Sequence, residues 1–90
     1  MHFEWDSAKA AKNLRKHHVS LEDASSVFYD PPAVTGADPD HSEAEERLVT
    51  FGVSSAGRLL VVSHTQRGEA IRIISARIAT QTERRIYEEG

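Results

Sequence analysis

Between Arg58 and Arg77 the chain reads RLLVVSHTQRGEAIRIISAR, and three side chains within it, His64, Arg72 and Arg77, are of the types that move protons and hold anions. An imidazole exchanges protons near neutrality because its ordinary pKa is about 6.5. A guanidinium presents a rigid fork of donors that fits two phosphate oxygens at once. The setting makes these residues conspicuous, because Leu59 to Ser63 and Ile71 to Ser75 are the only long runs of branched apolar residues in the chain. A charge buried alone in such a run costs several kcal/mol, so each must reach water, pair with an acid or contact a ligand. Taken singly, Arg72 paired with a nearby Glu and Arg77 at a wet strand end are sufficient accounts. Taken together, and with Arg67 at the turn, they point to a shallow anion-binding face.

The elements that must position them are two strands and a turn. Gln66-Arg67-Gly68 supplies the glycine that a hairpin loop needs at positive φ. The runs on either side are apolar at consecutive positions, as in strands covered on both faces, which places the hairpin in the middle of a sheet. With a three-residue loop over 66–68, His64 faces Ala70, Val62 faces Arg72, and His64 and Arg72 share a face. Leu59, Val61, Ile71 and Ile73 then face the helices. A two-residue Arg67-Gly68 turn would move Arg72 to the other face, and the three-residue loop is preferred because it gathers the polar groups. Arg77 falls with Ile73 by strict alternation and joins the site only where the strand ends or bulges.

Upstream, His2 to Trp5 alternates as a short edge strand with Phe3 and Trp5 on one side. Asp6 or Ser7 caps a helix over Ala8 to about His17, with Ala8, Ala11 and Leu14 as its apolar stripe and Lys9, Lys12 and Lys16 as a basic one. That basic stripe is either a solvated face or a second shore of a phosphate groove. His17-His18 is no zinc site, since neighbours on a helix point about 100° apart and no third ligand lies at regular spacing. Ser20 caps a second helix with Asp23 at its third position, Leu21, Ala24, Val27 and Phe28 are its buried stripe, and Pro31-Pro32 stops it. A short strand over Ala33 to Gly36 and a polar loop from Ala37 to Glu43 lead to an alternating strand, Glu46 to Val53, with Arg47, Val49, Phe51 and Val53 on one side. Thr80 and Glu83 form a capping box that opens a last, thinly apolar helix. Short turns between consecutive strands make an antiparallel meander the economical topology, in an α+β domain spanning residues 1–90.

Composition narrows the function classes. Ninety residues make one domain with a modest core. No cysteine is present, which removes disulfides, thiolate metal sites and thiol nucleophiles and suits a reducing cytoplasm. No run approaches the roughly 18 apolar residues of a membrane helix, and the N-terminus has no signal-peptide core, so a soluble cytoplasmic protein is expected. The net charge of −3 is uneven: up to Ala56 there are five Lys+Arg against ten Asp+Glu, and beyond it six Arg against four Glu, or about −5 and +2. The local excess, all arginine, suits phosphate recognition.

The opening FEWDSAKAAKNLRKHHVSLEDASSVFYDP, the middle ER, the GRLLVVSHTQRG hairpin and IRIISARIAT with its ERRIYEE tail together resemble the BrnT toxin family over nearly the whole chain. Ser63, where a valine is expected, and Ile78, in place of a further basic residue, depart from the family pattern. The resemblance implies a RelE-like fold, a small antiparallel sheet flanked by helices. It also implies metal-independent, cofactor-free cleavage of RNA by the toxin of a type II toxin–antitoxin module. A BrnA-type antitoxin neutralises such a toxin, and operator DNA is reached only through the antitoxin. The chemistry of the residues agrees: cleavage of RNA without metal needs a base, cations at the phosphate and an acid, so His64 is the expected base or acid, Arg72 and Arg77 the phosphate clamps, and Glu46 or Glu69 the group that orients His64 or acts as base. Arg67, Lys9, Lys16 and Arg47 are the expected substrate contacts. The alternative is a non-catalytic module, partner or corepressor of a DNA-binding antitoxin, with its arginines paired structurally.

Overall fold

The computed structural model describes residues 1–38 and 46–90. The elements follow as β1 (His2–Glu4), α1 (Ser7–His17), α2 (Leu21–Ser25) running into a 3-10 turn (Ser26–Tyr29), β2 (Val34–Ala37), β3 (Leu48–Val53), β4 (Leu59–Arg67), β5 (Ala70–Ile78) and α3 (Gln81–Glu89). The polar loop expected from Ala37 to Glu43 lies largely outside the described residues. No helix among the described residues is long and apolar enough to cross a membrane.

The sheet order is β1-β5-β4-β3-β2. From β2 to β5 neighbouring strands are antiparallel, as expected, but β1 joins β5 in parallel, so the sheet is mixed rather than a pure meander. This pairing joins residues at opposite ends of the chain, and no local pattern signals it. The parallel pair is permitted because the intervening chain crosses over through α1 and α2.

Local capping chemistry sets the helix ends. Asp6 accepts the Lys9 amide at 3.1 Å and Ser20 the Asp23 amide at 3.0 Å, while Thr80 and Glu83 complete a reciprocal box at α3. These side chains satisfy amides that the first helical turn leaves without a partner. The second helix is a single short stretch that tightens to a 3-10 turn before Pro31.

The core lies on one face of the sheet. Val19, Leu21, Ala24 and Val27 pack there against Leu60, Val62, Ile73 and Ala76, with Phe3, Trp5, Ala10, Phe28 and Ile71 around them. Gly52 of β3 permits the 3-10 turn to lie close, because a Cβ there would stand 3.0 Å from Val27 Cβ and 3.2 Å from Ala33 Cβ. The stripe expected for α1 is not the one that docks. Ala8, Ala11 and Leu14 are exposed, Leu14 by 51%, and the inward stripe is Ala10, Asn13 and His17. Asn13 is the reason: its amide nitrogen donates to the carbonyls of Val19 and Ala76, each at 2.9 Å, and its oxygen accepts the Ala76 amide at 3.1 Å. Beyond Arg72, where β1 ends, Asn13 serves the edge of β5 as a strand would.

Candidate active site

The hairpin loop is Gly68-Glu69, with Arg67 paired to Ala70 and Gly68 at φ 60°, rather than the three residues 66–68. Positive φ at the first loop residue is the position a glycine fills in a two-residue hairpin. His64 consequently pairs with Ile73 and Thr65 with Arg72. One register shift follows: Ser63 pairs with Ser75, leaving Ile74 as the extra residue of a β-bulge. His64 therefore looks toward the helices with Leu60 and Val62, while Arg72, Ser75 and Arg77 share the opposite face with Val61, Ser63 and Thr65. The sequence grouped His64 with Arg72; the loop and the bulge separate them, and instead put Arg72 and Arg77 on one face. Leu59 and Val61 likewise do not share the helix face with Ile73, because β4 is apolar on both sides.

His64 is 5% exposed. Its Nε2 lies 2.7 Å from Thr50 Oγ1, and its ring meets Phe28 edge-on at 4.8 Å. Burial, which disfavours the charged imidazolium, lowers its pKa from 6.5 to about 4. A buried ring held by Thr50 and packed on Phe28 is placed as a core side chain, away from the open face of the sheet. Glu46 does not orient it. Glu46 is exposed, and its backbone carbonyl accepts the Thr65 hydroxyl at 2.8 Å.

The arginines are held separately. Arg72 pairs with Glu4 at 2.8 Å across the β1–β5 register, the bland partner the sequence allowed for. Arg77 meets Glu83 of α3 fork to fork, both contacts at 2.7 Å. That guanidinium lowers the Glu83 pKa to about 2 and raises that of Arg77. Arg67 and Glu69 are exposed at the hairpin tip, and Arg47 is half-buried just before β3.

What the structure does bring together is a cleft of about 490 Å³ on the face opposite the core, lined by Ala37, Asp38, Val49, Phe51, Val61, Ser63, Ser75, Ala76, Arg77, Glu83 and, from the end of α1, His17. A second hollow shares His17 and Ser75 and continues along Lys9, Lys12 and Lys16 to Ile74 at the bulge. The lysine stripe thus borders the cleft directly. Lys9, Asn13 and His17 recur every four residues on α1, so pinning Asn13 to Ala76 carries His17 to the cleft rim and Lys9 along the strip. In the sequence, His17 stands out only as a failed zinc ligand and Glu83 only as a cap. The fourfold spacing with Asn13 is the signal that could have found His17.

A family description, "ribonuclease toxin, BrnT, of type II toxin-antitoxin system", matches residues 5–83. The chain belongs to the BrnT ribonuclease toxin family. Its fold is similar to the crystal structure of the Brucella abortus ribonuclease toxin BrnT, with a TM-score of 0.65 and 26% identity over 90% of this chain and 99% of that one. No curated protein is matched. The BrnT-matched span takes in every residue of the cleft, from His17 to Glu83, and stops short of Ile86 and Tyr87 on α3. Belonging to a type II toxin–antitoxin family implies an antitoxin partner for this BrnT-family chain.

Proposed function

We propose that this chain is an endoribonuclease toxin that cuts RNA in the cleft opposite the core, without metal, and so blocks translation. The observation that carries the reading is the continuity of His17, Arg77 and the lysine stripe along one strip of surface. Attack of a ribose 2′-oxygen on the neighbouring phosphate needs a base for the hydroxyl proton, cations for the growing charge and a proton for the leaving 5′-oxygen. His17 takes the 2′-proton and its conjugate acid returns one to the leaving oxygen, closing the proton balance. Arg77 and the nearest lysines bear the phosphorane charge, and the Ser63 and Ser75 hydroxyls donate to its oxygens. Glu83 is a poor base, since a carboxyl that ionises near pH 2 holds a proton too weakly.

A BrnA-type antitoxin neutralises the toxin by laying its C-terminal part over this strip, contributes the two-fold assembly, and alone contacts operator DNA. One observation favours the second reading, a non-catalytic partner or corepressor subunit: Arg72 and Arg77 both sit in ion pairs within the fold. Incubating the purified chain with RNA in EDTA separates the two. Cleavage that disappears in a folded His17→Ala variant supports the nuclease, and intact RNA supports the binding module.

A further inference from the structure

Both outer nitrogens of Arg77 are occupied by the two carboxylate oxygens of Glu83, the arrangement in which a guanidinium grips two oxygens of a phosphate. The pair stands in the wall of the cleft, with 42% of the arginine side chain and 19% of the glutamate exposed. While it holds, the charge of Arg77 is balanced by Glu83, and the attraction of the strip rests chiefly on Lys9, Lys12 and Lys16. The helix carrying Glu83 is lightly seated. No residue of α3 is buried, and its half-buried ones, Glu83 and Tyr87, lie one turn apart and each ends in a polar contact. The Tyr87 hydroxyl donates to Asp30 Oδ2 at 2.7 Å, and that same oxygen accepts the Val53 amide at 2.9 Å. Tyr87 can therefore keep the far turn of α3 docked while Glu83 lets go of Arg77.

We infer that Glu83 is a built-in competitor for the Arg77 fork, which a substrate phosphate must displace, so that only a strand anchored by further phosphates on the lysine stripe engages Arg77. This rests on the reading that the cleft binds RNA, and it adds a determinant of affinity and of minimum substrate length. Glu83 remains ionised at any working pH, because Arg77 holds its pKa near 2, so the competition is not relieved by ordinary acidification. Its Oε1 also accepts the Thr80 amide at 2.8 Å, a contact that glutamine reproduces in a capping box.

The test is the affinity of an uncleavable single-stranded 2′-O-methyl oligonucleotide, measured over a salt series for the native chain, Glu83→Gln, Arg77→Ala and the double variant. Glu83→Gln should bind about two- to fivefold tighter, the scale of one part-exposed charge pair, with a log–log salt slope steeper by about 0.7. Arg77→Ala should abolish that gain. In the native protein, the carboxyl carbon shift of Glu83 should titrate in the ordinary carboxylate range once the oligonucleotide is bound, an observation that needs no variant. Unchanged or weaker binding by Glu83→Gln, or a gain that persists without Arg77, overturns the inference and leaves the RNA reading standing. If neither the native chain nor Glu83→Gln binds at low salt, the RNA reading itself fails.

Discussion

Asn13 on α1 holds both backbone groups of Ala76 on β5, donating to its carbonyl at 2.9 Å and accepting from its amide at 3.1 Å. The same side chain reaches the Val19 carbonyl, so one buried amide joins the first helix, the link to the second and the open edge of β5. Replacing it by alanine leaves an amide and two carbonyls in the interior without partners. Each such group costs about 1–3 kcal/mol, partly relieved by water, so Asn13→Ala should lower unfolding free energy by about 2–4 kcal/mol in a denaturant titration. A loss under about 0.5 kcal/mol would show that the edge is satisfied some other way.

The burial of His64 makes stability fall on mild acidification. Its pKa in the fold, about 4, lies below the unfolded value of 6.5, so between these limits the unfolded chain takes the proton and the native ring does not. The contribution is complete above pH 6.5, declines as pH falls toward 4, and changes no further below. A tenfold difference in proton affinity corresponds to about 1.4 kcal/mol, so the change is on the order of a few kcal/mol at most. Glu83 adds a separate loss below pH 4.5, continuing toward 2, as protonation breaks its pair with Arg77. Equilibrium unfolding between pH 7.5 and 4 should show the first decline in the native chain and not in a folded His64→Asn variant.

Gly52 marks where the 3-10 turn presses on the sheet. A methyl group there meets Val27 Cβ at 3.0 Å and the Val27 carbonyl oxygen at 3.1 Å, and a backbone carbonyl cannot swing aside as a flexible side chain can. Gly52→Ala should destabilise the fold by about 1–3 kcal/mol through overpacking, read as a lowered melting temperature. An unchanged or raised melting temperature would mean that the turn gives way freely.

Features that depend on a few neighbouring residues are legible in the amino-acid sequence alone. The caps at Asp6, Ser20 and Thr80, the proline stop, and the alternation of β3 each follow from chemistry confined to one turn or one strand. The faces of the hairpin are not, because Leu59, Leu60, Val61 and Val62 are all buried and give alternation nothing to act on. The bulge at Ile74 hides within a run of branched residues, yet it decides which arginines share a face. The docking stripe of α1 escapes apolar periodicity because it centres on Asn13, a polar residue whose partners on β5 are backbone groups more than sixty positions away. With Ala8, Ala11 and Leu14 turned inward, His17 would not line the cleft that Arg77 lines. The site therefore takes shape only when the register of β5 and the roll of α1 are both fixed.

On the proposed reading, that placement separates the residues expected to act on RNA from those expected to support the fold. His17 lines the cleft with Arg77, whereas Arg72 is paired with Glu4 near the β1 edge and is absent from the lining, and His64 faces the core. His17→Ala should reduce RNA cleavage by about 10²-fold or more while leaving the melting temperature nearly unchanged, the loss expected for a positioned acid–base group. Arg77→Ala should cost a similar factor through lost charge stabilisation, with a smaller penalty in Arg77→Lys, which keeps the charge and loses the fork. Arg72→Ala should change cleavage by no more than a few-fold, because removing one half-buried pair at the sheet edge alters neither proton transfer nor the charge beside the phosphate. His64→Ala should act through stability instead, so its cleavage rate recovers toward native when assayed well below its melting temperature. Cleavage rates and melting temperatures of the same preparations decide the matter. A folded His17→Ala enzyme with full activity, beside a folded His64→Ala enzyme with none, would return the proton chemistry to His64 and require the core around Thr50 and Phe28 to open.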